Sequence, residues 1–311
     1  MSQRQIKIIV FPGGFNLPLW AGLAHGYFED SGVAVDVHMT GSSVEQMKGL
    51  IEGKYELALT GFDNIVAYQE GQGEAQLTTE PDVFAFMGGD SAFLNLAVTS
   101  HVHSYSDLRG NVLAVDALTT GFAFVLRKML ALHGISEDDV TFERMGGVLQ
   151  RFDGLKQGKC AGTLLLTPFE IMAEQAGCKV LESASAAIPA YQGVVGAARR
   201  EWAKQNEDTL FRFIAAYRQS LRWLYDPGNR DSAVKILIDK IPNMSEPLAR
   251  KALDVFLDEV RGFDPKAKLN FQGIQTVLEL RSEYGIPKKK LENSSKYIDE
   301  SYYQRAGPRS E

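Results

Sequence analysis

The sequence runs to 311 residues, 45% of them hydrophobic, with 33 Lys and Arg against 39 Asp and Glu and a formal net charge of −6. That length allows a well-buried core in one large or two medium domains, and two are expected. The acidic balance, with one short basic run at Lys288, Lys289 and Lys290, argues against nucleic acid as a partner, and no stretch reaches the roughly 18 to 20 apolar residues that span a bilayer.

The opening "MSQRQIKIIVFPGG" is too short and polar for a secretory signal. A periplasmic location is therefore expected if a leader has been removed, and a cytoplasmic one if Met1 is the native start. Cys160 and Cys178 make no metal motif and are too few for a disulfide framework. Buried free thiols are the leading expectation and a single disulfide the alternative.

Short β-rich runs alternate with helical periodicity, which predicts an α/β fold with mainly parallel strands. "IKIIV" is the first strand, followed by a helix from about Pro18 to Phe28, where proline suits the first turn and "EDSG" supplies the stop. "VAVDVHM" is a strand, "SSVEQMKGLIEG" a serine-capped helix, "YELAL" a strand ending in the turn "TGFDN", and "VFAFM" and "FLNLAV" are further strands. The plan then restarts with strand "NVLAV", turn "DALTTG", helix "FAFVLRKMLALHG", strand "VTFERM", helix "GVLQRFDGLKQG" and strand "AGTLLL". Phe122, Val125, Leu126, Met129 and Leu130 recur at helical spacing, and Gly134 is the expected stop.

"LIEGKYELALTGFDN" and "LKQGKCAGTLLLTPFEI" pass through the same events in the same order, so two lobes of one design are expected. "AYQGVVGA" is the last β-like run. Helices follow, the first carrying Leu210, Phe213, Ile214, Tyr217, Leu221 and Leu224 on one face, then others at about Ser232 to Ile241, Glu246 to Val260 and Gln272 to Tyr284. Such a block must pack on something already built, and the first lobe is the natural support. The expected division is residues 1–96 and 196–311 in lobe 1 and 97–195 in lobe 2, with "FLNLAV" and "YQGVVGA" crossing between them.

In open parallel sheets ligands bind beyond the carboxyl ends of the strands. This rule selects four turns: Gly13 to Leu17, Thr60 to Asn64, Asp116 to Gly121, and Thr167 to Phe169. "PGGFNLP" matches neither G-x-G-x-x-G nor G-x-x-x-x-G-K-[ST], so a nucleotide phosphate is not expected there. Free N–H groups near Asn16 and at Thr119, Thr120 and Gly121 can take the negative end of a ligand, although both threonines also suit plain N-capping. Phe15, Phe62 and Phe169 are candidate ligand walls, or else loop rings folded into the core.

Asp63, Asp90 and Asp116 lie at strand ends, against Arg151 as the one plausible pocket cation. That balance favours an amine, an N-heterocycle or a carboxylate held by backbone N–H groups over a bare oxyanion, with a plain turn role as the alternative for each aspartate. There is no G-x-S-x-G and no H-E-x-x-H, and none of the five histidines completes a catalytic pattern. No catalytic residue, metal ligand or cofactor is assigned.

In their collinear order, "LPLWAGLAHGYFEDSGVAVDV", "LIEGKYELALTG", "DLRGNVLAVDALTTGFAFVLRKMLALHGI", "LKQGKCAGTLLLTPFEIMAEQAGCKVL" and "AARREWAKQNEDTLFRFIAAYRQSLRWLYDPGNR" resemble the nitrate/sulfonate/taurine class of ABC-transporter solute-binding proteins. That class includes relatives of the thiamine-pyrimidine precursor synthases. The similarity runs from about Ile6 to "YIDESYYQRA".

The resemblance implies the type 2 periplasmic binding protein fold: two α/β lobes, two crossover strands, and a C-terminal helical block on lobe 1. It implies ligand contacts at Phe15 and Asn16, at Gly61, Phe62 and Asp63, at Thr119, Thr120 and Gly121, and at Thr167 and Phe169; Asn64 is expected at the site as the end of the Thr60 to Asn64 turn. The turn "ALTTG" departs from the Gly-Ser type of many relatives, and "TGFDN" lacks a histidine. The cysteine-rich motif of the pyrimidine-forming enzymes is also missing, so that activity is not expected. The function implied is a monomeric solute-binding protein that closes on a small organic molecule and docks on an ABC permease. The alternatives are an enzyme on the same fold, of decarboxylase, desulfinase or pyrimidine-synthase type, and a cytoplasmic ligand sensor.

Overall fold

The computed structural model describes residues 4–258 and 260–307. Among the described residues, ten strands form two five-stranded sheets. The first contains β1 (Arg4–Val10), β2 (Val33–Met39), β3 (Leu57–Gly61), β4 (Val83–Gly88) and β10 (Val194–Arg199), in the order β2-β1-β3-β10-β4. The second contains β5 (Leu94–Val98), β6 (Val112–Val115), β7 (Thr141–Arg144), β8 (Gly162–Leu166) and β9 (Lys179–Ser183), in the order β7-β6-β8-β5-β9. The two orders are the same design, with β6, β7 and β8 standing where β1, β2 and β3 stand.

Four strands of each sheet run in one direction, in keeping with the mainly parallel arrangement expected, but β10 runs against β3 and β4, and β5 against β8 and β9. The reason is connectivity. A chain arriving from the other sheet enters at the end where the parallel strands finish, so Leu94 pairs with Leu166 and Val194 with Gly61. Each crossing joins its new sheet as soon as it clears the gap. Strand β5 therefore begins before the boundary expected at residue 96, and β10 before the one expected at 195.

Between these strands run helices α1 (Leu17–Ala24), α2 (Tyr27–Asp30), α3 (Ser43–Ile51), α4 (Phe62–Gln69), α5 (Gly121–Leu132), α6 (Val148–Lys156), α7 (Phe169–Gln175) and α8 (Ala184–Ala187). The helix expected over Pro18 to Phe28 is broken: Gly26 turns left-handed at φ 72°, a conformation that costs glycine nothing. Ser42 caps α3 as expected, its Oγ accepting from the Glu45 N–H at 3.2 Å. Strand β9 went unforeseen because it is a half-buried edge strand without clear alternation.

After β10 come α9 (Arg200–Gln205), α10 (Glu207–Leu224), α11 (Arg230–Lys240), α12 (Glu246–Phe256), α13 (Phe271–Tyr284) and α14 (Ser301–Arg305). The apolar face expected on α10 is buried, and the helix packs on α1, α2 and β2 of the first lobe. Helix α13 departs from the plan. It packs on α4, as a first-lobe helix should, and also on α5 of the second lobe, through Phe124, whose ring centroid lies 5.8 Å from that of Tyr284. Among the described residues, no helix is long and apolar enough to cross a membrane.

Candidate ligand-binding site

The carboxyl ends of β1, β3, β6, β7 and β8 converge on a cavity of about 70 Å3 between the two sheets, closed at one side by Val194 at the start of β10. Phe11, Phe15, Leu59 and Asn64 line it from the first lobe, Phe122, Val148 and Leu166 from the second. The glycine pair after β1 explains how Phe15 gets there. A Cβ on Gly13 would stand 2.2 Å from the Phe15 ring, and one on Gly14 would stand 2.2 Å from the ring of Phe256. Only bare backbone lets both rings close over this loop.

Eight of the residues expected at the site line the cavity: Phe15, Gly61, Asp63, Asn64, Asp116, Thr120, Gly121 and Arg151. Six do not. Asn16 is fully buried, with Nδ2 donating to the carbonyls of Phe11 at 2.6 Å and Gly13 at 3.1 Å, so it shapes the loop from beneath. Phe62 is a core residue set edge-on to Tyr297, since neighbours in the first turn of a helix point roughly 100° apart and Asp63 takes the cavity side. Thr119 turns its hydroxyl away to Glu74 Oε1, at 2.9 Å.

Thr167 donates from Oγ1 to Glu170 Oε1 at 2.6 Å, and Phe169 packs against Phe152, both inside the second lobe. Asp90 sits in the first crossing, where its Oδ1 accepts from the N–H groups of Ala92 at 2.8 Å and Val194 at 3.0 Å. One carboxylate thus ties the two crossings together.

Charges of opposite sign balance in the cavity wall. Asp116 accepts from the Thr120 hydroxyl at 2.6 Å, and burial pushes its carboxyl above the usual range against the pull of Arg151. Burial likewise lowers the Arg151 guanidinium, opposed by Asp116. The two shifts agree in cause: both partners are stripped of water, and the arginine stays charged at any physiological pH. Arg151 is further held by its own lobe, Nε donating to the Gly146 carbonyl at 3.2 Å and Nη1 to Thr163 Oγ1 at 3.2 Å and the Leu164 carbonyl.

Asp63 has a partner that sequence reading missed. Arg281 of α13, fully buried, donates through Nε to Oδ1 at 2.5 Å and through Nη2 to Oδ2 at 2.7 Å. A signal for it existed: Ile274, Val277, Leu278 and Arg281 follow the i, i+3, i+4, i+7 spacing of one helix face, so a charge occupies an apolar position. Tyr191, from the second crossing, also went unforeseen. A Cβ on Gly121 would lie 2.4 Å from Asp63 Cγ and 2.5 Å from Tyr191 Oη, so the start of α5 presses directly on both. Burial, then the Asp63 charge, pushes the Tyr191 phenol well up.

The cysteines are free, Cys160 buried and Cys178 half-buried. Among the described residues, no group of His, Cys, Asp and Glu is arranged to hold a metal ion.

No curated protein matches the chain in sequence. Solved structures share its fold at low identity. The alkanesulfonate-binding protein SsuA from Xanthomonas axonopodis pv. citri, solved with MOPS, aligns with a TM-score of 0.77 at 14% identity, over 96% of this chain and 99% of that one. The periplasmic nitrate-binding protein NrtA from Synechocystis PCC 6803 aligns at 0.79 and 12% identity, over 98% and 88%. A ligand-binding component of an ABC-type import system from Staphylococcus aureus, solved with zinc bound, aligns at 0.78 and 16% identity, over 99% and 100%. The fold is that of the type 2 periplasmic binding proteins. Residues 16–230 match the family described as NMT1/THI5 like, and the chain belongs to that family.

Proposed function

We propose that the protein is a solute-binding protein that closes its two lobes on a small organic molecule and presents the closed form to an ABC permease on the far side of a membrane from the cytoplasm. The observation that carries this reading is the cavity itself: both sheets contribute their strand ends to it. The NMT1/THI5-like family and the binding roles named for SsuA, NrtA and the import component support it.

The walls bear on the ligand. Asp63 is paired with Arg281 and Asp116 feels the charge of Arg151, so the cavity carries no large net charge, and Phe11, Phe15 and Phe122 make its body apolar. A compact ring or chain with one polar head, amine- or carboxylate-bearing, suits such walls better than an inorganic oxyanion. At about 70 Å3 the cavity is about half of the roughly 150 Å3 that holds a benzene ring, so an aromatic ligand requires the Phe15 and Phe122 rings to shift. Phe15, Gly61, Asp63, Asn64, Asp116, Thr120, Gly121 and Arg151 make the contacts in this reading, with Asn16, Phe62, Asp90, Thr119, Thr167 and Phe169 supporting them from behind.

The test is thermal unfolding against a panel of small carboxylates, amines and heterocycles. A ligand that binds the folded state at a hundred times its Kd stabilises by about 2.7 kcal/mol. Several degrees of shift with one chemical class, lost on replacing Phe15 by Ala, is the expected result. A panel with no shift for the intact protein overturns the reading.

A further inference from the structure

We propose that Arg281 is the clasp that holds the two lobes together, and a positioning residue for the cavity carboxylate Asp63. The proposal rests on the solute-binding reading for its ligand consequences, while its mechanical part stands on geometry alone. Arg281 lies on α13, a C-terminal helix of the first lobe. Its guanidinium spends its donors on both lobes: Nε and Nη2 go to Asp63, Nη1 to Gln72 Oε1 at 3.2 Å, and Nη2 also to the carbonyl of Thr119 at 2.7 Å. Thr119 belongs to the turn after β6, in the second lobe. The guanidinium carbon also stands 4.9 Å from the ring centre of Phe124 on α5.

A planar fork with several fixed donors can serve a carboxylate on one side and a carbonyl on the other at once, which a lysine ammonium on a flexible stem cannot reproduce with the same geometry. The carbonyl it holds immediately precedes Thr120 and Gly121, which line the cavity opposite Asp63. One side chain therefore sets the position of a first-lobe wall and the distance to the second-lobe wall. Around it the same seam carries Glu74, which accepts from Thr119 Oγ1 and pairs with Arg144 at 3.0 Å, and Lys128, which pairs with Glu283 at 2.8 Å. Those pairs are partly exposed and screened, whereas Arg281 is sealed. Ligand retention follows, because leaving the cavity requires the lobes to part, and parting them strips Thr119 from Arg281.

The experiment compares wild type with Arg281→Lys in two measurements made well below the unfolding temperature. Small-angle scattering of the ligand-free protein should show a larger radius of gyration for the variant. The small carboxylate, amine or heterocycle from the unfolding panel that stabilises wild type should dissociate about tenfold faster, in the usual range for a coupling between sites, with a smaller change in its association rate. A purely structural arginine would lower the unfolding temperature and leave both readouts unchanged, and that result overturns the proposal. If Arg281→Lys does not fold, the paired replacement of Asp63→Asn with Arg281→Gln leaves no lone buried charge and is read by scattering alone; an unchanged profile there overturns the proposal too. Should no ligand bind wild type, the solute-binding reading fails, and the scattering comparison still decides the clasp.

Discussion

Arg281 and Asp63 stand 218 residues apart in the chain and meet in a two-pronged ion pair, 2.5 and 2.7 Å long, sealed from solvent between α13 and α4. Removing one partner of such a pair leaves a bare charge in a dry site, which costs about 3 to 5 kcal/mol. Arg281→Met should therefore destabilise the fold by that amount in denaturant titration. Asp63→Asn combined with Arg281→Met should cost clearly less than the sum of the two single changes, because the double variant leaves no orphaned charge. Additive single effects would mean that the pair is not coupled in solution.

The close approach of Gly121 to Asp63 and Tyr191 leaves no room for a side chain. Gly121→Ala inserts a methyl group about 2.4 Å from Asp63 Cγ, against atoms packed from both lobes. The expected cost is about 1 to 3 kcal/mol of stability, with a further loss of ligand-induced stabilisation because the lobes no longer seat. Alanine scanning calorimetry at this position, with and without ligand, separates the two effects. An unchanged melting curve would show that α5 does not press on Asp63.

Asp90 carries a pH signature. Burial pushes its carboxyl from the ordinary 3.8 up to about 6, against the pull of the Val194 and Ala92 N–H groups. Between about pH 4 and 6 the folded chain keeps a proton that the unfolded chain has lost. The favourable contribution is therefore complete below pH 4 and fades as pH rises through 6. A difference of about two pH units corresponds to about 3 kcal/mol at 1.36 kcal/mol each. Asp90→Asn keeps an oxygen to accept both N–H groups and cannot ionise. Its stability relative to wild type should rise by up to that amount from pH 4 to pH 7; a flat difference would place Asp90 in solvent.

The two thiols should differ in reactivity. Cys160 is buried and its thiol is pushed up to about 11 by desolvation, while Cys178 is half-buried. Thiolate is the reacting form, so alkylation of the native protein should label Cys178 first, by an order of magnitude or more in rate. Peptide mass spectrometry after short exposure to iodoacetamide reads the order directly. Faster labelling of Cys160 would contradict its packing.

Hydrophobic period and turn chemistry were enough to read the alternation of strands and helices, the repetition of the plan in a second lobe, and three turns that border the cavity. Those are local properties, written within about a dozen residues of one another. The turn after β1 shows how far such reading goes: Gly13 and Gly14 announce a sharp exit that presents Phe15 at the helix start, and Phe15, buried as it is, lines the cavity.

Contacts between distant segments decided the rest. Neighbours in one turn, such as Phe62 and Asp63, part company because the helix start rotates one inward to the core and the other to the cavity. Asp90 looks like a strand-end carboxylate in sequence and turns out to join the two crossings. Arg281 lies far from every strand end, yet it neutralises Asp63 and reaches Thr119 in the opposite lobe. Period and spacing record which face of an element is apolar. They do not record which two faces will meet, and here that meeting sets the charge and the shape of the cavity.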